Sequence, residues 1–207
     1  VGNATPEHAE ISFEGMTIIP TLEGNPVSEL NPISLPLLPH WISESEKKAK
    51  ALGSLRNSIT NGAGDLAGYV GEYLVAETLG HPIVSNDSFD FDIQTPLYDI
   101  DVKTKRCNSE IKPEYACSVT KKGSFQLCDI YVFCRINFAQ NKGWILGYEF
   151  KDTFFHKATY GENNAPEKIE GVENNGFNYR ADCYNVLIKD LTPFKCAQYN
   201  GITYLAF

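Results

Sequence analysis

Two kinds of hydrophobic patterning divide the chain. Around residues 64–79, Ala67, Val70, Leu74 and Thr78 recur at three- and four-residue spacing, which predicts a helix from about Gly64 to Leu79. Gly80 follows as a natural C-terminal stop. Asp65, Gly68, Glu72 and Ala76 fall on nearly the opposite face, small or acidic, which leaves room for something to approach. An earlier helix is expected from Ser43, where Ser43 and Glu46 have capping-box spacing ahead of a Lys- and Ala-rich run.

Further on the period changes to two. In Phe89-Asp90-Phe91-Asp92-Ile93 the aromatics and Ile93 point one way and the acids the other. In Asp99-Ile100-Asp101-Val102-Lys103 the apolar Ile100 and Val102 oppose Asp99, Asp101, Lys103 and Lys105. A turn through Pro96-Leu97 joins the segments into a hairpin. More strands are expected at 115–120, 129–137, 143–148, 184–188 and 202–206, with a helix or turn near 150–157. The order predicts a mixed α/β class. Residues 1–42, with Pro6, Pro20, Pro26, Pro32, Pro36 and Pro39, read as an extended arm packing on a single domain over 43–207.

Composition narrows the classes. At 207 residues, 43% hydrophobic and 21% charged, the chain suits one soluble domain, with no apolar run near the roughly 20 residues of a membrane helix. No secretory-type leader is visible, so a cytoplasmic location is expected. Cys107, Cys117, Cys128, Cys134, Cys183 and Cys196 lack paired metal-ligand spacing and read as free, mostly buried thiols. His8, His40, His81 and His156 also lack ligand spacing, and His81 reads as structural. A net charge of −8 weighs against coating nucleic acid by charge alone, yet allows a local basic groove.

A turn centred on Pro96-Leu97 would place Asp92 opposite Asp101 and Asp90 opposite Lys103. Opposed aspartates roughly 5 Å apart at Cβ repel each other. A hard divalent cation would relieve that repulsion, and a nearby lysine could stabilise phosphoryl charge. The alternative is a solvated acidic hairpin. Asp92 is preferred to Asp90 as the second acid.

The sequence Gly68-Tyr69-Val70-Gly71-Glu72, then Asp92, then Ile100-Asp101-Val102-Lys103-Thr104-Lys105 resembles the PD-(D/E)XK, or restriction-endonuclease-like, nucleases over residues 61–106 and again at 129–137. No proline precedes the second acid, and the third is Asp rather than the commoner Glu. The resemblance implies a mixed central sheet flanked by helices. Glu72, Asp92 and Asp101 would bind Mg²⁺ or Mn²⁺, helped by the Val102 carbonyl, and Lys103 would meet the scissile phosphate.

The implied activity is hydrolysis of DNA phosphodiester bonds, by an endonuclease of small stand-alone phage type, in the host cytoplasm if phage-encoded, with a homodimer as the assembly that would suit cutting both strands. Lys105, Arg106, Lys121 and Lys122 are the expected backbone contacts, within a basic stretch that includes Lys112. RNA as substrate, or a non-catalytic nucleic-acid-binding or assembly protein retaining the core, are the other readings.

Overall fold

The computed structural model describes residues 12–13, 16–17, 28–30, 32–52, 65–84, 89–167, 178–199 and 202–207. In chain order these form β1 (Ser12–Phe13), β2 (Met16–Thr17), β3 (Ser28–Leu30), β4 (Ile33–Pro36), α1 (Pro39–Leu52), α2 (Asp65–Leu79), β5 (Ile93–Gln94), β6 (Asp99–Arg106), β7 (Ala116–Thr120), β8 (Ile130–Asn137), β9 (Lys142–Phe150), α3 (Lys151–Lys157), β10 (Thr159–Gly161), β11 (Cys183–Leu187), β12 (Phe194–Tyr199) and β13 (Ile202–Ala206). The central sheet has the order β4-β9-β8-β6-β5 and is mixed: β6 and β8 run parallel, the other pairs antiparallel. A second sheet, β10-β11-β7, and a third, β13-β12-β3, complete the larger elements.

Alternation along β6 and β8 splits the core into two layers. Ile100, Val102, Ile130, Val132 and Ile136 join Trp41, Val70, Leu74 and Val75 on the α1/α2 side. Tyr131, Phe133, Trp144 and Leu146 pack with Phe154 of α3 and Val119 and Val186 of the second sheet. The fold is thus mixed α/β, as the order of elements predicts, with its sheet flanked by helices. Among the described residues no helix is long and apolar enough to cross a membrane.

The end of α2 follows from one glycine. Gly80 adopts φ +73°, which costs a residue without Cβ nothing. His81 N–H then reaches Ala76 O at 2.9 Å and Gly80 N–H reaches Glu77 O at 3.3 Å, the paired bonds of a Schellman cap. The start of α1 differs from expectation. The helix begins at Pro39, not Ser43, and Ser43 Oγ donates back to His40 O at 3.1 Å inside it. Proline suits a first helical position because its missing N–H has no partner there anyway. Ile33–Pro36 pairs with β9 as the sheet's edge strand, where a proline is tolerated, so the end of the expected arm is part of the central sheet. Residues 1–11, 53–64 and 168–177 lie outside the described residues.

The acidic face of α2 is closed at Glu72 and Ala76, which are buried. Beside that face β6 comes close: a Cβ on Gly71 would collide with the Thr104 side chain. Gly68 has nothing within 4 Å of the same position. The five cysteines among the described residues, Cys107, Cys117, Cys128, Cys134 and Cys183, are free and buried. Burial pushes the thiol of Cys117 up to about 11 and that of Cys128 up to about 12; the side chain of Cys196 is outside the described set.

The two helix glycines should therefore respond oppositely to alanine. Gly71→Ala is expected to cost ~1–3 kcal/mol by forcing β6 away, whereas Gly68→Ala should gain up to ~1 kcal/mol of helix propensity. Urea unfolding of the pair checks this, and equal stabilisation by both would remove the close approach from the account.

Candidate functional site

The hairpin turn is built as its sequence predicts. Thr95 N–H donates to Tyr98 O at 2.9 Å, and Thr95 Oγ1 accepts from the Tyr98 N–H at 2.9 Å. Pairing of Ile93 with Ile100 and Gln94 with Asp99 sets the expected register. The strand stops there, shorter than the 89–93 segment expected, but Asp92 N–H still donates to Ile100 O at 2.9 Å. Asp92 therefore stands at the sheet edge beside Asp101.

Asp92 Oδ2 accepts the Val102 N–H at 2.7 Å. Burial, the charge of Asp101 and the charge of Glu72 together hold its carboxyl well above the ordinary value, outweighing Val102 N–H and Lys103. Asp90 turns elsewhere and accepts the Leu127 N–H at 3.2 Å. Asp92 is thus the acid within electrostatic reach of Asp101 and Glu72. Val102 meets the cluster through its amide N–H.

Asp101 is 3% exposed, because the charged face of β6 lies under the loop between β7 and β8 instead of in solvent. Its Oδ1 accepts from Gln126 Nε2 at 2.5 Å. Lys103 Nζ stands 2.5 Å from Asp101 Oδ2 and donates to Gln126 Oε1 at 2.8 Å. The contact with Oδ2 is off the line of a directed hydrogen bond, and this buried oxygen has no hydrogen-bond partner. Glu72, from α2, accepts from Lys48 Nζ of α1 at 3.0 Å, and Lys48 also covers the Tyr69 ring at 4.4 Å.

Two residues here escape sequence reasoning. Gln126 bridges Asp101 and Lys103 and also donates to Phe89 O at 2.7 Å. Lys48 neutralises Glu72 from another helix. Both sit in segments whose local pattern carries no chemical signal; the one available hint is a lone polar side chain between Phe125 and Leu127 just before a strand.

The expected phosphate contacts separate into two groups. Lys105 turns inward, donating to Ala116 O at 2.9 Å and Ser118 Oγ at 2.8 Å, with burial lowering its pKa. It is engaged inside the molecule and does not present its ammonium to a ligand. Arg106, Lys112, Lys121 and Lys122 are exposed. Lys121 stands 3.9 Å from Asp182; Lys122 and Arg106 lie over the Phe89 and Phe138 rings at 5.5 and 5.6 Å.

Among the described residues no three His, Cys, Asp or Glu side chains form a group able to hold a metal ion. The donor chemistry nonetheless fits a hard divalent cation: carboxylate oxygens from Asp101 on β6 and from Asp92 just before β5, with the buried Asp101 Oδ2 facing the Lys103 ammonium without a directed hydrogen bond. No family model matches the chain, and no curated protein matches it significantly in sequence. The fold and the site define a mixed α/β protein with a buried acid–lysine–amide cluster at one edge of its central sheet.

Gln126→Leu should destabilise the protein by about 1–3 kcal/mol in urea, since Asp101 Oδ1 and Phe89 O would lose their donor; a neutral result would mean the loop does not rely on this bridge. Asp92 supplies a pH signature. Its folded pKa is raised, so the native state holds a proton that the unfolded chain has released, and stability falls as pH rises from the unfolded value of 3.8 through the folded one. In EDTA, Asp92→Asn, which keeps an acceptor for Val102 N–H, should be more stable than wild type at pH 7. The advantage should vanish below pH 3.8, where Asp92 is protonated in both states; a pH-independent difference would contradict the assignment.

Proposed function

We propose that this chain is a metal-dependent nuclease with a restriction-endonuclease-like core, hydrolysing DNA phosphodiester bonds as an endonuclease with Mg²⁺ or Mn²⁺. The carrying observation is that Asp92, just before β5, stands within electrostatic reach of Asp101 on β6 and of Glu72, with Lys103 two residues along β6. Burying mutually repelling carboxylates is costly unless something compensates; Lys103 compensates Asp101 within the chain, and the raised pKa of Asp92 is where that compensation is incomplete.

In the proposed reaction a water oxygen bonds to phosphorus, the bond from phosphorus to the sugar oxygen breaks, and the released sugar oxygen takes up a proton. A divalent cation supplies charge neutralisation at the phosphoryl oxygens and lowers the pKa of the attacking water. Asp92 and Asp101 are the residues that would hold it, with Glu72 contributing charge from α2. Lys103 is the cation placed to meet a phosphate oxygen, and Gln126 orients both Lys103 and Asp101. Arg106, Lys121 and Lys122 supply exposed charge for the DNA backbone. One such site per chain suits cutting a duplex as a pair of copies.

One observation favours a second reading, a non-catalytic nucleic-acid-binding or assembly protein. Lys103 against Asp101 and Lys48 against Glu72 neutralise two of the acids from within the chain.

Supercoiled plasmid with Mg²⁺ or Mn²⁺ separates the two. Wild type should nick or linearise it and EDTA should stop the reaction. Asp101→Asn and Lys103→Ala should each slow cleavage by about 100-fold or more, in the range of lost electrostatic transition-state contacts. Variants that cut as fast as wild type, or a wild type silent on plasmid, single-stranded, branched and RNA substrates, would refute the nuclease.

A further inference from the structure

The loop that brings Gln126 to the acids also carries large apolar side chains into solvent. Phe125 is 72% exposed and Leu127 73%, and Phe89, on the segment the loop rests against, is 48% exposed. Hydrogen bonds tie down the backbone that carries them. Gly123 N–H donates to Thr120 Oγ1 at 3.0 Å, Ser124 Oγ to Lys121 O at 2.7 Å, and Tyr131 Oη to Gly123 O at 3.1 Å. Leu127 N–H is fixed by Asp90, Gln126 Nε2 by Phe89 O, and the Lys151 ammonium donates to Gln126 O.

Fixing apolar side chains in water forgoes burial that a flexible loop could recover by folding them inward, so the arrangement calls for a ligand with apolar faces. The rim of the patch narrows the chemistry. Lys121 and Lys122 are exposed on the same loop, and Lys122 Nζ lies 5.5 Å over the Phe89 ring. Flat apolar faces spaced along a polyanion are what such a surface complements: aromatic rings stack on bases and lysines follow the phosphates. In a duplex those base faces are covered by their neighbours, so the fit is to unpaired bases.

We infer that Phe89, Phe125 and Leu127, with Lys121 and Lys122, form a platform for the unpaired bases of single-stranded DNA, leading the strand to Gln126 and the acids beside it. The inference rests on the nuclease reading and names the form of DNA that the site takes.

Fluorescence anisotropy in EDTA, with a labelled oligothymidylate and a duplex of equal length, tests it. Wild type should prefer the single strand by about tenfold, and Phe125→Ala should lower that affinity by about tenfold while leaving duplex binding unchanged, as expected for loss of one stacking ring. Lys121→Gln and Lys122→Gln should weaken both DNAs and flatten the salt dependence by roughly one unit of slope per lost phosphate contact. Equal affinity for the two DNAs, a Phe125→Ala variant that binds like wild type, or no DNA binding at all would overturn the platform. Plasmid cleavage that needs Asp101 but ignores Phe125 would remove the platform and keep the nuclease. Phe125-dependent binding with no metal-dependent cleavage would do the reverse.

Discussion

A carboxylate in the middle of a packed sheet face has lost its water and must be compensated by the groups around it. Asp101 imposes that demand. Around it the chain places an amide from the loop before β8 and an ammonium two residues along the same strand. Asp92 stands beside it at the sheet edge, tied down by the Val102 N–H. Elsewhere the same problem has a different solution. Glu149, 1% exposed on β9, gathers Lys157, the Thr192 N–H and the Thr192 hydroxyl on one oxygen. Glu149 faces one ammonium and two neutral donors and no competing acid within that set, as a structural carboxylate should. Asp101 has Asp92 as a neighbouring acid, and its second oxygen meets the Lys103 ammonium rather than a directed donor. The two buried carboxylates are thus compensated differently: Glu149 by three donors on one oxygen, Asp101 by one amide and one ammonium on separate oxygens.

Much of this arrangement was legible before any coordinates. The three- and four-residue spacing of α2, its glycine stop, and the register of the hairpin around Pro96-Leu97 all rest on local rules, and the fold obeys them. Ser43 and Glu46 misled because a capping box inside a helix looks the same as one at its start. Pro39, grouped by composition with the prolines of the arm, is the residue that starts the helix. Lys105 was placed on the correct face of β6, yet that face is covered by β7, so alternation gave the direction and not the environment. Gln126 and Lys48 were invisible for a plainer reason: each acts on a residue 24 or 25 positions away in sequence, and such contacts leave no periodic trace.

The mixed sheet explains why the cluster sits at its edge. Glu72 approaches from the helical layer, whereas Asp101, Lys103 and Gln126 lie on the side of Tyr131 and Phe133. Only at the end of β5, where the sheet stops, can groups from the two layers interact without strands between them. Gly71 serves the same geometry, since its missing Cβ lets α2 settle against Thr104 and brings Glu72 toward that edge.

The parallel pairing of β6 with β8 also has a consequence for timing. Parallel neighbours cannot be joined by a tight turn, and here the excursion between them contains β7 and the loop that delivers Gln126. Asp92 and Asp101 can meet as soon as their hairpin closes, but the amide and the Lys151 anchor of its loop arrive some 25 to 50 residues later. During synthesis from the N-terminus, the acids therefore emerge from the ribosome with Lys48 and Lys103 but before the amide and its anchor. The order of translation keeps the cluster incomplete until β8 and β9 have been made.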